Sequence, residues 1–73
     1  MTPEETVACR YMADRGYDYA FAAKEKVEGD TCWYFFYMLP DDVEIELEVS
    51  WDQTDGWRVR VTDFSPFRMP TTT

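Results

Sequence analysis

The stretch Val43-Glu44-Ile45-Glu46-Leu47-Glu48-Val49-Ser50-Trp51 alternates between apolar and polar residues along its whole length. A period of two places the two kinds of side chain on opposite faces of a β-strand, so this stretch predicts a strand with one buried face. Its polar face carries three carboxylates spaced about 6.8 Å apart, which is twice the rise per residue of a strand. These carboxylates are called the glutamate row: Glu44, Glu46 and Glu48.

Three further strands are predicted around this one. Thr31–Leu39 is apolar on both faces, which is typical of a central strand, and Trp57–Phe64 follows the turn formed by residues 52–56. Tyr17–Val27 alternates aromatic with small or polar residues and precedes the turn sequence Glu28-Gly29-Asp30. Because this segment also contains several alanines, a second helix in place of the first strand is the alternative.

A helix is predicted before the strands, between a capping sequence and a glycine. Thr2-Pro3-Glu4-Glu5 places threonine at the N-cap, proline at the first helical position and two acids at the positive end of the helix dipole. Gly16 is expected just after the C-cap. The apolar side chains between these ends share one face at helical spacing: Val7, Ala8, Tyr11 and Met12. This face is expected to cover one side of the sheet.

The strand patterns agree on a register, and the register gives the fold class. The apolar side chains share one face if the following pairs lie opposite each other: Val27 with Thr31, Leu39 with Val43, and Trp51 with Trp57. The prediction is an α+β fold in which one N-terminal helix packs on a four-stranded antiparallel meander sheet. Residues 1–64 form the single domain, and residues 65–73 form an irregular tail. The alternative fold has two helices followed by a three-stranded sheet.

The face of the sheet away from the helix, called the open face, is expected to mix charged and apolar side chains. Its apolar residues, called the apolar row, are Tyr34, Phe36 and Met38, with Cys32 beside them. The outer strands are expected to contribute Lys24, Lys26, Arg58 and Arg60. In this register Arg60 lies opposite Glu48, so the glutamate row is expected to be partly neutralised.

An exposed apolar row has two interpretations. Contiguous apolar patches mark protein contact sites, so the row predicts a surface for a different protein or for a second copy in a homodimer. The alternative is that the C-terminal tail folds across the row through Phe64, Phe67 and Met69.

Most of the acidic excess is expected at one end of the sheet. In a meander the first and third turns share an end, and the start of the helix is expected there too. This group is called the acidic pole: Glu4, Glu5, Glu28, Asp30, Asp52 and Asp55, with Glu48 close by. Arg58 is the one base expected near it. The acidic pole is the second candidate surface for binding a partner.

Composition excludes several classes of function. Fifteen acids and seven bases give a net charge of −8, which disfavours direct binding to nucleic acid or to anionic membranes. The chain has no histidine, which excludes Ser/His/Asp and Cys/His nucleophilic sites and a histidine-ligated metal. Its three glycines are isolated, so no phosphate-binding glycine loop is present. We therefore expect a protein that is not an enzyme and has no cofactor or metal.

Targeting signals are not recognised in the sequence. It contains no apolar run of about 18 residues and no basic region followed by an apolar segment. A cytoplasmic location is therefore expected.

In size, acidity and lack of catalytic residues the chain resembles the small phage-encoded anti-restriction and anti-CRISPR proteins, several of which mimic DNA. The resemblance rests on size and charge and transfers no site residues. It implies a protein that binds and inhibits a basic, nucleic-acid-binding protein in the host cytosol, with carboxylates in place of phosphates. The alternative is a general interaction or self-association module that uses the apolar row.

Overall fold

The fold is an N-terminal helix packed on one antiparallel sheet. The computed structural model describes residues 1–40 and 42–65, without the side chain of Phe21. The helix α1 spans Pro3–Asp14, a short 3-10 helix spans Tyr19–Phe21, and the strands are β1 (Ala23–Glu28), β2 (Cys32–Met38), β3 (Glu44–Asp52) and β4 (Gly56–Ser65). The strands form a meander in the order β1-β2-β3-β4. The predicted α+β fold is confirmed, and the alternative with a three-stranded sheet is wrong.

The helix begins and ends where its sequence predicts. At the start of the helix, the Glu5 amide donates to Thr2 Oγ1 at 3.3 Å, and the Thr2 amide donates to Glu5 Oε1 at 3.1 Å. The side chain of each residue thus accepts a hydrogen bond from the backbone of the other. Gly16 follows the helix with a φ of +79°, a conformation that glycine adopts without a steric penalty. Ala8 and Met12 are fully buried against the sheet.

The core lies between α1 and the face of the sheet that the helix covers. Phe35 lies opposite Leu47, and Val49 lies opposite Val59, in a register that matches the prediction for β2, β3 and most of β4. Phe35, Leu47 and Val49 have no exposed surface. Three further buried side chains complete the core on the sheet side: Tyr37, Leu39 and Ile45. The apolar side of the alternating stretch on β3 is thus the centre of the fold.

The segment before β1 differs from the prediction. A strand was expected over Tyr17–Val27, but β1 begins only at Ala23. The preceding residues bond locally: the Tyr17 amide donates to Met12 O at 3.0 Å, and the Ala22 amide donates to Tyr19 O at 3.1 Å. Because these amides are satisfied within the connection, Tyr17 and Tyr19 pack against the core from a turn rather than from a strand.

The register of β1 also differs from the prediction. Val27 lies opposite Tyr34 rather than Thr31, a shift of three residues, because the Gly29 amide donates to Cys32 O at 2.8 Å and the chain reverses between Asp30 and Thr31. Because successive side chains point to opposite faces, a shift by an odd number of residues moves every side chain of a strand to the other face of the sheet. Lys24 and Lys26 therefore lie on the covered side, and the open face instead receives Ala23, Glu25 and Val27.

A β-bulge changes the pairing near the end of β4. Leu47 lies opposite Val61, but Glu46 lies opposite Asp63, so Thr62 is the extra residue. The bulge moves Asp63 from the covered face to the open face. It places Phe64 opposite Ile45 on the covered face, where Phe64 cannot cover the apolar row. Phe67, Met69 and the rest of the expected tail after Ser65, the last residue of β4, lie outside the described residues.

Candidate functional site

The acidic pole forms at the end of the sheet where it was predicted. The β1–β2 and β3–β4 turns lie at the same end of the meander, two strand spacings or about 10 Å apart. The start of α1 reaches this end as well, because Glu4 contacts Lys26, two residues before Glu28. The structure thus gathers the predicted residues at one end of the molecule.

The helix end of the acidic pole is partly neutralised by a base that was not expected there. Lys26 Nζ lies 2.7 Å from Glu4 Oε2 and 3.8 Å from Glu5 Oε2. The hydrogen bond with Lys26 lowers the pKa of Glu4, and the same bond raises the pKa of Lys26. The Glu5 pKa is lowered first by its hydrogen bond with the Thr2 backbone. The expectation that Arg58 is the one base near the acidic pole is therefore wrong.

The negative charge of the turn between β3 and β4 is also partly compensated within the turn. Arg58 lies 3.9 Å from Asp52 Oδ2 and 3.5 Å from Asp55 Oδ2. Asp52 Oδ1 accepts hydrogen bonds from the amides of Thr54 at 2.6 Å and Asp55 at 3.2 Å, and these bonds lower the pKa of Asp52. One oxygen of its carboxylate therefore shapes the turn.

Glu48 is paired as well, since Arg60 Nη2 lies 2.8 Å from Glu48 Oε1. Of the seven predicted acidic site residues, five are in ion pairs: Glu4, Glu5, Glu48, Asp52 and Asp55. Glu28 and Asp30 are exposed and have no ion pair within the described residues. The acidic pole therefore carries less free negative charge than its sequence indicates.

The apolar row lies on the open face. Phe36 is 37% exposed and Met38 is 42% exposed, with Val27 beside the half-buried Tyr34. A hydrogen bond with the Cys32 thiol, together with nearby carboxylates, raises the pKa of Tyr34. The apolar row therefore combines two accessible apolar side chains with one hydroxyl.

Residues that lie opposite each other on the four strands form rows across the sheet, and these cross-strand rows show how charge is distributed on the open face. The row through Tyr34 runs Val27, Tyr34, Glu48, Arg60 and ends in an ion pair. The next row runs Glu25, Phe36, Glu46, Asp63 and contains three carboxylates and no base. None of these three carboxylates has an ion pair within residues 1–40 and 42–65. Carboxylates that have no ion pair within the described residues thus lie in the same cross-strand row as Phe36.

A groove of about 440 Å³ lies over this second row. Phe36 and Met38 are its exposed apolar residues, the buried Tyr37 and Ile45 also border it, and its carboxylates are Glu25, Glu44, Glu46 and Asp63. Lys24 is the one base among its lining residues. These residues, with Ala23, are called the Phe36 groove.

The Phe36 groove places like charges directly opposite each other. Glu46 faces Asp63 across the β3–β4 pair, whereas an unbulged strand would put Thr62 there. Cross-strand pairs of opposite charge gain roughly 0.2–1 kcal/mol, and like charges in the same position are destabilising. The arrangement therefore costs stability in the isolated chain, and a cationic ligand would remove that cost.

Sequence reasoning missed Glu25 and Asp63 as site residues. The predicted β1 register puts Lys24 and Lys26 on the open face and so leaves Glu25 off it, and Asp63 reaches the open face only through the bulge. One signal was present for Asp63: it interrupts the alternation of Val59 and Val61, where the covered face requires an apolar residue. A charge at such a position is typical of a bulge that turns it outward.

A tryptophan cluster forms another partly exposed apolar surface, on the covered face beside the acidic pole. The ring of Trp57 lies 5.8 Å from Trp33 and 5.3 Å from Trp51, measured between centroids. Trp51 is 56% exposed. At these separations the rings pack on one another, so the cluster mainly closes the end of the core.

The described residues contain no group of three or more His, Cys, Asp or Glu side chains placed to hold a metal ion. Within the same ranges no helix has the length and apolarity needed to cross a membrane. Comparisons with protein families, with curated proteins and with solved structures found no match to this chain.

Proposed function

We propose that this protein is a small, non-catalytic inhibitor that binds a basic, nucleic-acid-binding protein and covers its cationic surface. The observation that carries the proposal is the row Glu25, Phe36, Glu46, Asp63, in which an exposed aromatic ring lies among carboxylates that have no ion pair within the described residues. Such a surface is complementary to one that is cationic and partly apolar. Surfaces that bind nucleic acid are rich in Lys and Arg, which makes them partners of this kind.

A nucleic-acid-like mode of binding needs carboxylates from more than one strand. Glutamate positions along β3 are about 6.8 Å apart, and positions on adjacent strands are about 4.8 Å apart. The spacing along β3 is twice that of DNA, about 3.4 Å of axis per phosphate on each strand, so the glutamate row is too sparse by itself and the neighbouring strands and the acidic pole have to contribute. Carboxylates on the open face can thus meet several phosphate-binding side chains at once. The net charge of −8 adds long-range attraction that speeds the encounter.

Action in the cytosol as a counter-defence protein of a phage is part of this proposal. It is supported by the resemblance in size and charge to phage-encoded anti-CRISPR and anti-restriction proteins. The partner would then be a host defence complex that binds nucleic acid.

Self-association through the open face is the second candidate, and the exposure of Phe36 and Met38 favours it. In a two-fold dimer the same patch of both copies meets, so the carboxylates around Phe36 would face those of the second copy. Like charges at a desolvated interface oppose binding. The free carboxylates therefore favour a basic partner over a second copy. Sedimentation at increasing salt distinguishes the two, because screening would promote a homodimer and weaken a complex with a basic protein.

Affinity capture from a host lysate tests the proposal. We expect the tagged protein to retain a basic, nucleic-acid-binding protein at low salt and to release it at high salt, with identification by mass spectrometry. Substituting Glu25, Glu46 and Asp63 with their amides should reduce the retained amount. The variant with amides at Glu28, Asp30, Asp52 and Asp55 should reduce it less and flatten its salt dependence. Retained proteins that bind no nucleic acid, or retention unaffected by salt, would contradict the proposal.

A further inference from the structure

We infer that the Phe36 groove is the docking site for an arginine side chain of the partner, held between Glu46 and Asp63 and stacked on Phe36. The inference rests on the proposed function for the identity of the partner as a basic protein. It adds which part of the surface binds and which side chain is bound.

The shape of the groove suits a single inserted side chain with its flanking backbone. Its volume of about 440 Å³ falls within the range of roughly 300–1,000 Å³ typical of binding clefts. Phe36 lies in the middle of the cross-strand row, with Glu25 on one side and Glu46 on the other. A side chain that enters the groove thus meets an aromatic ring and carboxylates together.

The facing carboxylates favour arginine over lysine. Glu46 and Asp63 lie directly opposite each other on adjacent strands, so their oxygens can accept several N–H groups from one planar guanidinium. A guanidinium also stacks on an aromatic face and loses less hydration than an ammonium group when it does so. Phe36 offers such a face because more than a third of its surface is exposed.

Within residues 1–40 and 42–65, no base forms an ion pair with the groove carboxylates. Arg60 is held by Glu48 at 2.8 Å, and Lys26 is held by Glu4 at 2.7 Å on the covered side. Lys24 lines the groove from a strand position that belongs to the covered face, and it makes no ion pair within the described residues. Within the described residues the groove carboxylates are thus unpaired, whereas five of the seven carboxylates of the acidic pole share ion pairs with three bases.

A peptide titration followed by NMR tests the inference independently of any lysate. The probe is the short peptide Ala-Arg-Leu-Arg-Ala-Arg, added to the isotope-labelled protein at low salt. We expect amide shifts concentrated at Glu25, Phe36, Glu46 and Asp63. The peptide with lysine in place of arginine should bind about tenfold more weakly, since the bidentate and stacked contacts are lost. The peptide with neutral citrulline should not bind.

Two matched double variants distinguish binding in the Phe36 groove from attraction to the overall negative charge of the protein. E46Q/D63N and E28Q/D30N each remove two charges from a net charge of −8, and the second pair lies outside the groove. We expect E46Q/D63N to weaken arginine-peptide binding by about tenfold and E28Q/D30N by about twofold or less. F36S should weaken it similarly to E46Q/D63N, and the amide variants keep the test valid if F36S unfolds.

Shifts centred on the acidic pole, equal losses in the two double variants, or no arginine-peptide binding would overturn the inference. Such results would leave the proposed function standing if lysate capture still returns a basic nucleic-acid-binding protein. Conversely, arginine-specific shifts in the groove support the inference even if the captured protein binds no nucleic acid, a result that rejects the proposed function alone.

Discussion

Lys26 Nζ lies 2.7 Å from Glu4 Oε2, and this ion pair joins the edge strand β1 to the first turn of α1. Glu4 is buried with 8% of its surface exposed, so its charge needs a partner close by. Lys26 reaches it only because the β1–β2 turn places Lys26 opposite Phe35, on the covered side. The same turn places Glu25 on the open face beside Phe36. One structural feature therefore ties the helix to the sheet and supplies a carboxylate to the Phe36 groove.

Replacing Lys26 with methionine should lower the stability of the fold and change its dependence on pH. Because the pKa of Glu4 and Glu5 is below its ordinary value of 4.5, their contribution is present above pH 4.5 and is lost as pH falls through the lowered values. Because the pKa of Lys26 is above 10.5, its contribution is present below that pH and is lost as pH rises through the raised value.

Urea unfolding at a series of pH values measures both effects. K26M should show a shallower loss of stability on the acid side and on the alkaline side than the wild-type protein. K24M is the matched control, since Lys24 is exposed and forms no ion pair within the described part of the chain. Identical pH profiles for K26M and the wild-type protein would refute the role of this ion pair.

Two adjacent phenylalanines should respond very differently to truncation. Phe35 is fully buried beside Leu47, so F35A should lower the free energy of unfolding by about 3–5 kcal/mol. Phe36 lies on the open face with 37% of its surface exposed, and F36A should cost about 1 kcal/mol or less. Thermal unfolding followed by circular dichroism compares the two. Similar losses would mean that the assignment of the two faces of β2 is incorrect.

Neutralising Glu46 and neutralising Glu48, which share one face of β3, should change the stability of the fold in opposite directions. Glu48 is paired with Arg60 at 2.8 Å, whereas Glu46 lies opposite Asp63. E48Q should therefore lower, and E46Q should raise, the free energy of unfolding by about 0.2–1 kcal/mol at low ionic strength. Both effects should shrink in high salt because exposed charges are screened. A loss of stability in E46Q would argue against the bulged pairing at Thr62.

The buried hydroxyl of Tyr37 offers a substitution that should not harm the fold. It has no hydrogen-bond partner of good geometry within the described residues, and burial, with the nearby Cys9 thiol, raises the pKa of Tyr37. Leaving a buried polar group unpaired costs roughly 1–3 kcal/mol, so Y37F should be neutral or stabilising. Chemical unfolding of Y37F measures this directly. A clear loss of stability would show that the hydroxyl has a partner.

The sequence was sufficient to predict how the central strands β2 and β3 pair, because their pattern of apolar and polar residues is compatible with one register. On β3 a slip of one residue would bury the glutamate row, so Val43–Trp51 determines its own orientation and that of β2. β1 contains no comparable pattern, because Val27 is its one large apolar side chain. Either orientation of β1 buries little apolar area, and the turn at Asp30 and Thr31 decides between them.

The candidate site was predictable only in part, for the same physical reason. Phe36 and Met38 lie on β2, whose faces the core determines, and their position on the open face follows from the sequence. Glu25 and Asp63 depend on a turn and on a bulge, each a local choice of a few hydrogen bonds. The glutamate row was expected to be partly neutralised, and within the described residues Glu48 is its one paired member, since Arg58 turns away to Asp52 and Asp55.

Competition with nucleic acid is the most direct test of the central claim, that this protein binds the nucleic-acid-binding surface of a basic partner. The complex with the captured partner is held at fixed concentration while the nucleic acid that the partner normally binds is titrated in, and the fraction of bound protein is followed by fluorescence anisotropy. The account predicts full displacement, and easier displacement of the Glu25, Glu46 and Asp63 amide variant. A complex that holds the protein and the nucleic acid together at saturating concentrations of both would contradict it.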